Sequence, residues 1–210
     1  TYANSQVNVS IHQFNYSLTP SHIICPNDQI RLTVSNNSSD ILSYQWQPTT
    51  GIINGQNTGS PIVSPSVPTT YHVTITNQMG CTTTNQVQVN IDNITSSITN
   101  IENNVCYGYC SGSAQALANG IPPYTYSWSN GQSESVATNL CVGSFTVTVT
   151  DANSCTSTSS VQISQPPALV LSFSNIQEPI CDGIGYGSAT VNVSGGTPGY
   201  TYLWSFNGNT

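Results

Sequence analysis

The seven cysteines carry the clearest potential chemistry in this sequence. They recur at matching places in successive stretches, which in an extracellular chain indicates a framework of disulfide bonds. A zinc site is the alternative, because Cys106 and Cys110 have a plausible ligand spacing. However, Cys141 and Cys155 lie singly on separate elements, with no histidine near in sequence. We therefore favour disulfides over a zinc site or reduced cytosolic thiols.

Residues for acid–base or nucleophilic catalysis are present but scattered. No G-x-S-x-G motif occurs, and no histidine follows His72, so a Ser-His-Asp triad has no support. His72 falls on the threonine face of its predicted strand, where an exposed residue is expected. The other histidines are His12 and His22, and the glutamates Glu102, Glu134 and Glu178 stand singly. A glycosidase needs two facing carboxylates, so we expect no enzyme activity and no cofactor.

Asp151 and Asn153 are the best candidates for a calcium site. One carboxylate is too few for the six to eight oxygens that calcium prefers, so we favour a hairpin turn stabilised by its own side chains and expect no metal. Three tyrosines near repeat boundaries are candidate contact residues, for sugars or, as we favour, for the neighbouring repeat. These are Tyr107, Tyr109 and Tyr186.

The charge balance excludes one large class of partners. Only 4% of residues are charged, Arg31 is the single cation, and the net charge is −7. Nucleic-acid binding depends on lysine and arginine contacts to phosphates, so it is not expected. No run approaches the roughly 18 apolar residues of a membrane span, and Thr1 opens no signal-peptide pattern, so we expect a mature, soluble fragment.

Two copies of one motif reveal the organisation of the chain. Residues 145–155 read F-T-V-T-V-T-D-A-N-S-C, in which apolar residues and threonines alternate as in a half-buried strand, followed by turn-forming residues. Residues 71–81, Y-H-V-T-I-T-N-Q-M-G-C, repeat this pattern. Sustained helical periodicity is absent. The sequence predicts an all-β protein of tandem immunoglobulin-like or PKD-like antiparallel β-sandwich repeats, each about 75 residues long.

The repeats define the expected domain boundaries. Residues 1–13 resemble the last strand of a later copy and are assigned to a preceding repeat. The first full domain spans 14–93 and the second 94–165, with Trp46 and Trp128 as aromatic anchors of their cores. Residues 168–210 begin a third copy after a stiff Pro166-Pro167 junction.

The alignment of copies also predicts the disulfide pairs. Cys25 and Cys81 are the two cysteines of the first domain and are expected to pair with each other. The four cysteines of the second domain allow three connectivities. Because Cys106 aligns with Cys25 and Cys155 with Cys81, we expect Cys106 to pair with Cys155, which leaves Cys110 for Cys141. Cys181 is expected to lack a partner because the third copy stops at Thr210 before its hairpin.

Residues 106–165 and 181–210 resemble the SprB-type repeat of gliding-motility adhesins from Bacteroidota. The resemblance rests on C-x-G-x-C, G-S-A, P-P-Y-T-Y-S-W-S-N-G and L-C-x-G-x-F-T-V-T-V-T-D-A-N-S-C, with Ser154 where glycine is usual and Gly199 where a second proline is common. Residues 14–93 resemble, more loosely, the immunoglobulin-like or PKD-like modules that accompany such repeats. The resemblance implies a very long cell-surface or secreted protein, exported by the type IX system and used in attachment, gliding or prey capture.

The sequence therefore predicts a non-catalytic structural or adhesive segment at the cell surface or outside the cell. Its expected partners are neighbouring repeats of the same chain, surface polysaccharide or other copies of itself, with no membrane insertion. Two alternatives stay open: a carbohydrate-binding accessory module of an extracellular hydrolase, and a subunit of an ordered surface filament or hook.

Overall fold

The computed structural model describes residues 14–37, 42–179 and 187–205, and all regular secondary structure in these residues is β-strand. The predicted all-β fold class is confirmed. The strands fall into two compact units. The first comprises residues up to Asn93 together with Ala152–Cys155, and the second comprises Ile94–Asp151 with the residues from Thr156 onward. Residues 1–13, expected to form the last strand of a preceding repeat, lie outside the described residues.

The first unit holds the first nine described strands. They are β1 (Tyr16–Leu18), β2 (His22–Ile24), β3 (Ile30–Arg31), β4 (Val34–Asn36), β5 (Ser43–Gln47), β6 (Ile52–Asn54), β7 (Ile62–Val63), β8 (Thr69–Thr76) and β9 (Thr82–Ile91). A four-stranded sheet has the order β2-β9-β8-β5, a three-stranded sheet has the order β3-β7-β6, and β1 pairs with β4.

Strand β9 is the longest described strand of the first unit and pairs with both β8 and β2. Its Thr82 end meets β8 at the hairpin, where Thr76 is the partner of Thr82. Its other end pairs in parallel with the short β2, with Ile24 opposite Ile91. The hairpin and β2 therefore lie at opposite ends of this sheet.

One apolar core lies between the sheets of the first unit. The alternation in β8 buries Tyr71, Val73 and Ile75 and directs its threonines and His72 outward. Trp46 on β5 is the partner of Val73 and is fully buried, and its Nε1 donates to the carbonyl of Thr58 at 2.9 Å. Buried aromatic rings contribute large apolar areas, and the indole N–H finds an acceptor, as such burial requires.

The second unit holds the remaining described strands. They are β10 (Thr95–Glu102), β11 (Gly112–Asn119), β12 (Thr125–Trp128), β13 (Val136–Leu140), β14 (Gly143–Thr150), β15 (Thr156–Ile163), β16 (Val170–Gln177) and β17 (Ser188–Ser194). Two three-stranded sheets have the orders β10-β11-β13 and β12-β14-β15, and β16 pairs with β17.

The core of residues 94–165 repeats the aromatic anchor of the first unit. Trp128 on β12 is the partner of Val147, just as Trp46 is the partner of Val73. Its Nε1 donates to the carbonyl of Glu134 at 2.9 Å, and the side chain is 2% exposed. The shared Tyr-x-Trp pattern thus gives the same strand register in both units, and each indole N–H has a carbonyl acceptor.

Strands β16 and β17 reproduce the β10–β11 pair in detail. Both pairs have an irregularity in register, between Thr99 and Glu102 and between Ser174 and Gln177. Each irregularity contains an asparagine with positive φ, Asn100 at 49° and Asn175 at 50°. The third copy nevertheless exposes its apolar face, and Trp204, the counterpart of Trp128, is 49% exposed and lies against Phe173.

Candidate functional site: the cysteine turns

Cys25 opens a tight turn directly after β2. The amide of Asp28 donates to the carbonyl of Cys25 at 3.1 Å, and Asn27 adopts a left-handed φ of 69°. Asparagine tolerates this conformation because its short polar side chain bonds locally. The amide of Asp92 donates to the carbonyl of Ile24 at 2.9 Å, so the end of the parallel pairing fixes Cys25 beside the end of β9. We call residues 25–28 a leading turn.

A second kind of turn joins β14 to β15. Residues 151–155 form this hairpin turn, in which Ser154 has a φ of 67° and Cys155 is buried. Cys155 forms a disulfide with Cys25, with a Cα–Cα distance of 5.3 Å. The side-chain amide of Asn153 donates to the carboxylate of Asp92 at 2.7 Å. All four residues of these two contacts belong to the first compact unit.

This disulfide corrects the expected Cys25–Cys81 pair. Cys81 immediately precedes β9, whereas Cys25 lies at the other end of that strand. The ten residues of β9 span roughly 30 Å at about 3.3 Å per residue. A disulfide requires a Cα–Cα distance of about 4.4 to 6.8 Å, so the sheet keeps these cysteines apart.

The expected Cys106–Cys155 pair is wrong for the same reason. The amide of Asn104 donates to the carbonyl of Ser164, and the amide of Gly108 donates to the side chain of Gln165. These bonds hold Cys106 at the far end of β15 from Cys155, which precedes Thr156. Eight residues of β15 correspond to roughly 26 Å.

The structure does join Cys110 to Cys141, the pair left by elimination. Their bond closes the stretch from the residues before β11 to the start of β14, a sequence separation of 31. With Cys110, Cys141 and Cys155 all in disulfides, none of them offers the thiolate that a zinc site requires. The alternative of a zinc site at these cysteines is therefore not supported by the structure.

Within the described residues, Cys81 and Cys106 form no disulfide, and both are exposed. Their turns copy those of the bonded pair. Asn77 accepts hydrogen bonds from the amides of Met79 and Cys81 through its side-chain oxygen, with Gly80 at a φ of 80° where the later hairpin turn has Ser154. This closes the β8–β9 turn, residues 77–81, which we also call a hairpin turn.

Residues 106–109 form a second leading turn. The amide of Tyr109 donates to the carbonyl of Cys106 at 3.4 Å, as Asp28 does to Cys25. Gly108 has a φ of 75°, close to that of Asn27 at the same turn position. Each complete repeat therefore carries one leading-turn cysteine and one hairpin-turn cysteine at opposite ends of its longest strands.

The predicted contact tyrosines are exposed where they are described. Tyr107 is 58% exposed and Tyr109 is 71% exposed. Tyr107 and Cys106 line an open groove in the second unit together with Pro167, Leu169 and Tyr200. Tyr186 and Cys181 lie outside the described residues. Contact of Tyr107 with a neighbouring repeat stays a prediction.

Among the described residues, the histidines and glutamates considered for catalysis lie on separate strands and loops. His72 is exposed on the outer face of β8, as expected, and His22 is half-buried on β2. The carboxylate of Glu102 accepts a hydrogen bond from the hydroxyl of Ser113 at 3.0 Å. His12 lies outside the described residues, and Glu134 and Glu178 are exposed.

Burial perturbs two tyrosines of the first unit. It raises the pKa of Tyr71 above its ordinary value of 10.0, because the phenolate would lose hydration in the core. The hydroxyl of Tyr71 donates to the carbonyl of Thr50 at 3.0 Å. Burial likewise raises the pKa of Tyr44. Both tyrosines are therefore held in the neutral form as packing groups.

Aligning the cysteines by repeat identified the right equivalences but missed which repeats they join. The missing information is the length of β9 and its parallel pairing with β2, which the sequence pattern does not give. Cys81 precedes the ten-residue β9, and Cys25 lies beside the other end of that strand, so the two cannot form a disulfide. This constraint leaves pairing between different repeats as the solution that alignment alone does not suggest.

Comparison with known proteins gives one sequence match. The profile of the SprB repeat matches residues 174–209, which lie in the third copy. No curated protein matches the chain. The chain therefore contains a match to the SprB repeat within an array of similar copies.

Solved structures resemble this chain at low sequence identity. A C-terminal fragment of intimin, in complex with the intimin-binding domain of its translocated receptor, is 17% identical with a TM-score of 0.46. The match covers 75% of this chain and 65% of that one, so the chain spans about two thirds of the fragment. Three N-terminal domains of the Hoc capsid protein of bacteriophage RB49 are 16% identical, with a TM-score of 0.43 and coverage of 89% and 72%. With TM-scores below 0.5, neither likeness carries an argument about function.

Over the part of the chain that is described, no helix has the length and apolar character needed to cross a membrane.

Proposed function

We propose that this chain is a non-catalytic structural and adhesive segment of a long secreted or cell-surface repeat protein. The observation that carries the proposal is the disulfide between Cys25 and Cys155, cysteines that belong to successive copies of one repeat. A bond across repeats resists extension of the chain under pulling force. This property suits a stalk or adhesin more than an enzyme scaffold.

The composition supports the same proposal. Because few residues are charged, solubility depends on polar, uncharged side chains. The single cation also leaves one cleavage site for trypsin-like proteases. The SprB match at residues 174–209 agrees with the resemblance of the sequence to gliding-motility adhesins. Attachment, gliding or prey capture, with export by the type IX system, is the specific role that we propose on this basis.

Stretching single molecules tests the mechanical part. The Cys25–Cys155 bond withholds a segment of 130 residues from extension, which corresponds to about 45 nm of contour length at roughly 3.5 Å per residue. The contour length gained when the oxidised protein unfolds under force should be shorter by that amount, and adding reductant should restore the full length. An equal contour length in both states would contradict the proposal.

Cell-surface display tests the adhesive part. Antibodies against this segment should label intact cells of the source organism and should reduce their attachment to surfaces or to prey cells. Antibodies against an intracellular protein serve as the control. Labelling only after cell lysis would contradict the proposed location.

A carbohydrate-binding accessory module is the second candidate, and the exposed side chains of Tyr107 and Tyr109 favour it. Aromatic rings at a surface stack on sugar rings. Binding to a glycan array that is lost in Tyr107→Ala and Tyr109→Ala, and retained in Tyr126→Phe, would support this role. Ordered assemblies seen by electron microscopy would instead favour a filament or hook subunit.

A further inference from the structure

We propose that Cys81 and Cys106 are half-sites of further disulfides between successive repeats, so that each leading-turn cysteine bonds the hairpin-turn cysteine of the next repeat. In this scheme the observed Cys25–Cys155 bond is one of a series of disulfides, each of which joins one repeat to the next. The inference concerns cysteine chemistry and does not depend on the adhesive role.

The first argument is the match between turns. The leading turns at residues 25–28 and 106–109 share the same backbone hydrogen bond and a positive φ at the same position. The hairpin turns at residues 77–81 and 151–155 also have equivalent cysteines after a residue with positive φ. Since one leading turn and one hairpin turn are already joined, equivalent geometry gives Cys106 and Cys81 the same pairing capacity.

The second argument is distance within a repeat. Strand β9 separates Cys25 from Cys81, and β15 separates Cys106 from Cys155, by several times the Cα–Cα distance of a disulfide. A leading-turn cysteine therefore has no access to the hairpin of its own repeat. Its partner must come from another copy.

The third argument is the position of Cys106 beside the third copy. Cys106 shares a groove with Gly196 and Thr197, and the hydroxyl of Thr197 donates to the carbonyl of Val105 at 3.3 Å. The corresponding loop of the second repeat lies against its own hairpin turn, since a Cβ on Gly120 would be 3.3 Å from the carboxylate of Asp151. The loop next to Cys106 is thus the one that borders the hairpin turn in a complete repeat.

The fourth argument is the exposed apolar face of the third copy. Leu171, Phe173 and Trp204 are exposed there. In the second repeat Ser96, the counterpart of Leu171, lies against Ser157 and Ser159 of β15, and Trp128 is buried beside Val147 of β14. A hairpin of the same kind is the occupant that fits this face. It would carry the cysteine that we assign to Cys106.

The bond itself requires an oxidant. Two thiols and one molecule of an external disulfide, such as oxidised glutathione, give the protein disulfide and two reduced thiols of the oxidant. The two sulfur–hydrogen bonds are lost from the protein, and both protons and both electrons pass to the oxidant. Exposure of Cys81 and Cys106 allows this exchange.

The test fuses a copy of residues 133–165, which contain the β14–β15 hairpin, to the end of the 210-residue chain. The copy of Cys141 is replaced by serine, because Gly185 stands in the third repeat where Cys110 stands in the second. The protein is refolded in a glutathione redox buffer, free thiols are alkylated, and the disulfides are mapped by mass spectrometry. Trp204 quenching by acrylamide reports whether the added hairpin covers the apolar face.

We expect the added hairpin cysteine to be linked to Cys106, with Cys81 and Cys181 alkylated. Replacing that added cysteine by serine should return Cys106 to the alkylated pool and serves as the control. A link from the added cysteine to Cys181 would overturn the proposal, because it would be a bond within one repeat. Alkylated Cys106 in the extended chain, or Trp204 still open to acrylamide, would also overturn it.

Discussion

Cys25 and Cys155 are separated by 130 residues in sequence and by 5.3 Å between their Cα atoms. The disulfide between them joins the leading turn of one repeat to the hairpin turn of the next. Long loops closed by a disulfide lose the most conformational entropy in the unfolded chain. This bond is therefore the main covalent constraint on the first compact unit.

Removing that bond should destabilise the first unit. In the double variant Cys25→Ala, Cys155→Ala, we expect the free energy of unfolding to fall by about 2 to 4 kcal/mol, because the unfolded chain regains the entropy of a long open loop. Urea denaturation followed by circular dichroism measures the change. Cys81→Ala is the matched control, since Cys81 is exposed and forms no disulfide within the described residues. An equal loss in the control would contradict the pairing.

The indole of Trp128 should contribute more to the free energy of unfolding than that of Trp204. Trp128→Phe removes buried ring volume and the donor to the carbonyl of Glu134, so we expect a loss of about 2 to 3 kcal/mol in unfolding free energy. Trp204→Phe, at the equivalent but exposed position, should cost less than about 1 kcal/mol. Similar losses measured by urea denaturation would argue against a buried anchor at Trp128.

Gly112 lies where a side chain does not fit. A Cβ there would be 2.7 Å from Ile163 and 2.9 Å from the carbonyl of Leu140. Gly112→Ala should therefore lower the free energy of unfolding by about 1 to 3 kcal/mol through overpacking. Gly187→Ala is the control at the equivalent position of the third copy, where the nearest atom is 3.1 Å away. If thermal melts show that Gly187→Ala destabilises the protein more than Gly112→Ala, overpacking at Gly112 is not the cause.

Alkaline pH should weaken the first unit through Tyr71. Burial raises the pKa of Tyr71 above 10.0, so the folded state favours the neutral phenol and its stability contribution is complete below that pH. As the pH rises above 10.0, the unfolded chain ionises first and this contribution is lost. Tyr71→Phe should lower stability by about 1 kcal/mol at pH 7, through loss of the bond to Thr50, and should flatten the alkaline decline.

Urea denaturation across this pH range measures both effects. Tyr107→Phe is the control, because Tyr107 is exposed and its loss should leave stability at pH 7 unchanged. A decline above pH 10 that is as steep in Tyr71→Phe as in the unmodified protein would contradict the assignment.

Trypsin should cut the oxidised protein slowly. Arg31, the single cation, is paired in β3 and its guanidinium donates to the carbonyl of Ser60, while the following Leu32 is buried. A protease needs an extended, accessible segment on both sides of the bond. Reductant should accelerate cleavage by releasing the Cys25–Cys155 bond, as seen in a timed gel assay.

Arg31→Gln is the control for that assay and should be resistant in both redox states. Rapid cleavage of the oxidised, unmodified protein at Arg31 would show that the first unit opens without reduction. Such a result would count against the stabilising role of the disulfide.

The sequence by itself determined the elements and their repetition. Alternation of apolar residues and threonines in residues 71–76 and 145–150 predicts strands whose valines are buried, and Val73 and Val147 are fully buried. Turn residues before Cys81 and Cys155 predict hairpins, which β8–β9 and β14–β15 form. These features depend on local periodicity and turn chemistry, which short stretches of sequence contain.

Only the tertiary structure decided which cysteines meet. Cys25 and Cys81 look like partners because they bound one repeat, yet the length of β9 separates them and Cys25 bonds Cys155 instead. Disulfide pairing depends on distances of a few ångströms between residues far apart in sequence, set by strand length, register and the path of the chain between repeats. Local patterns contain none of these quantities, so the bond between repeats became evident only when the strands were assembled.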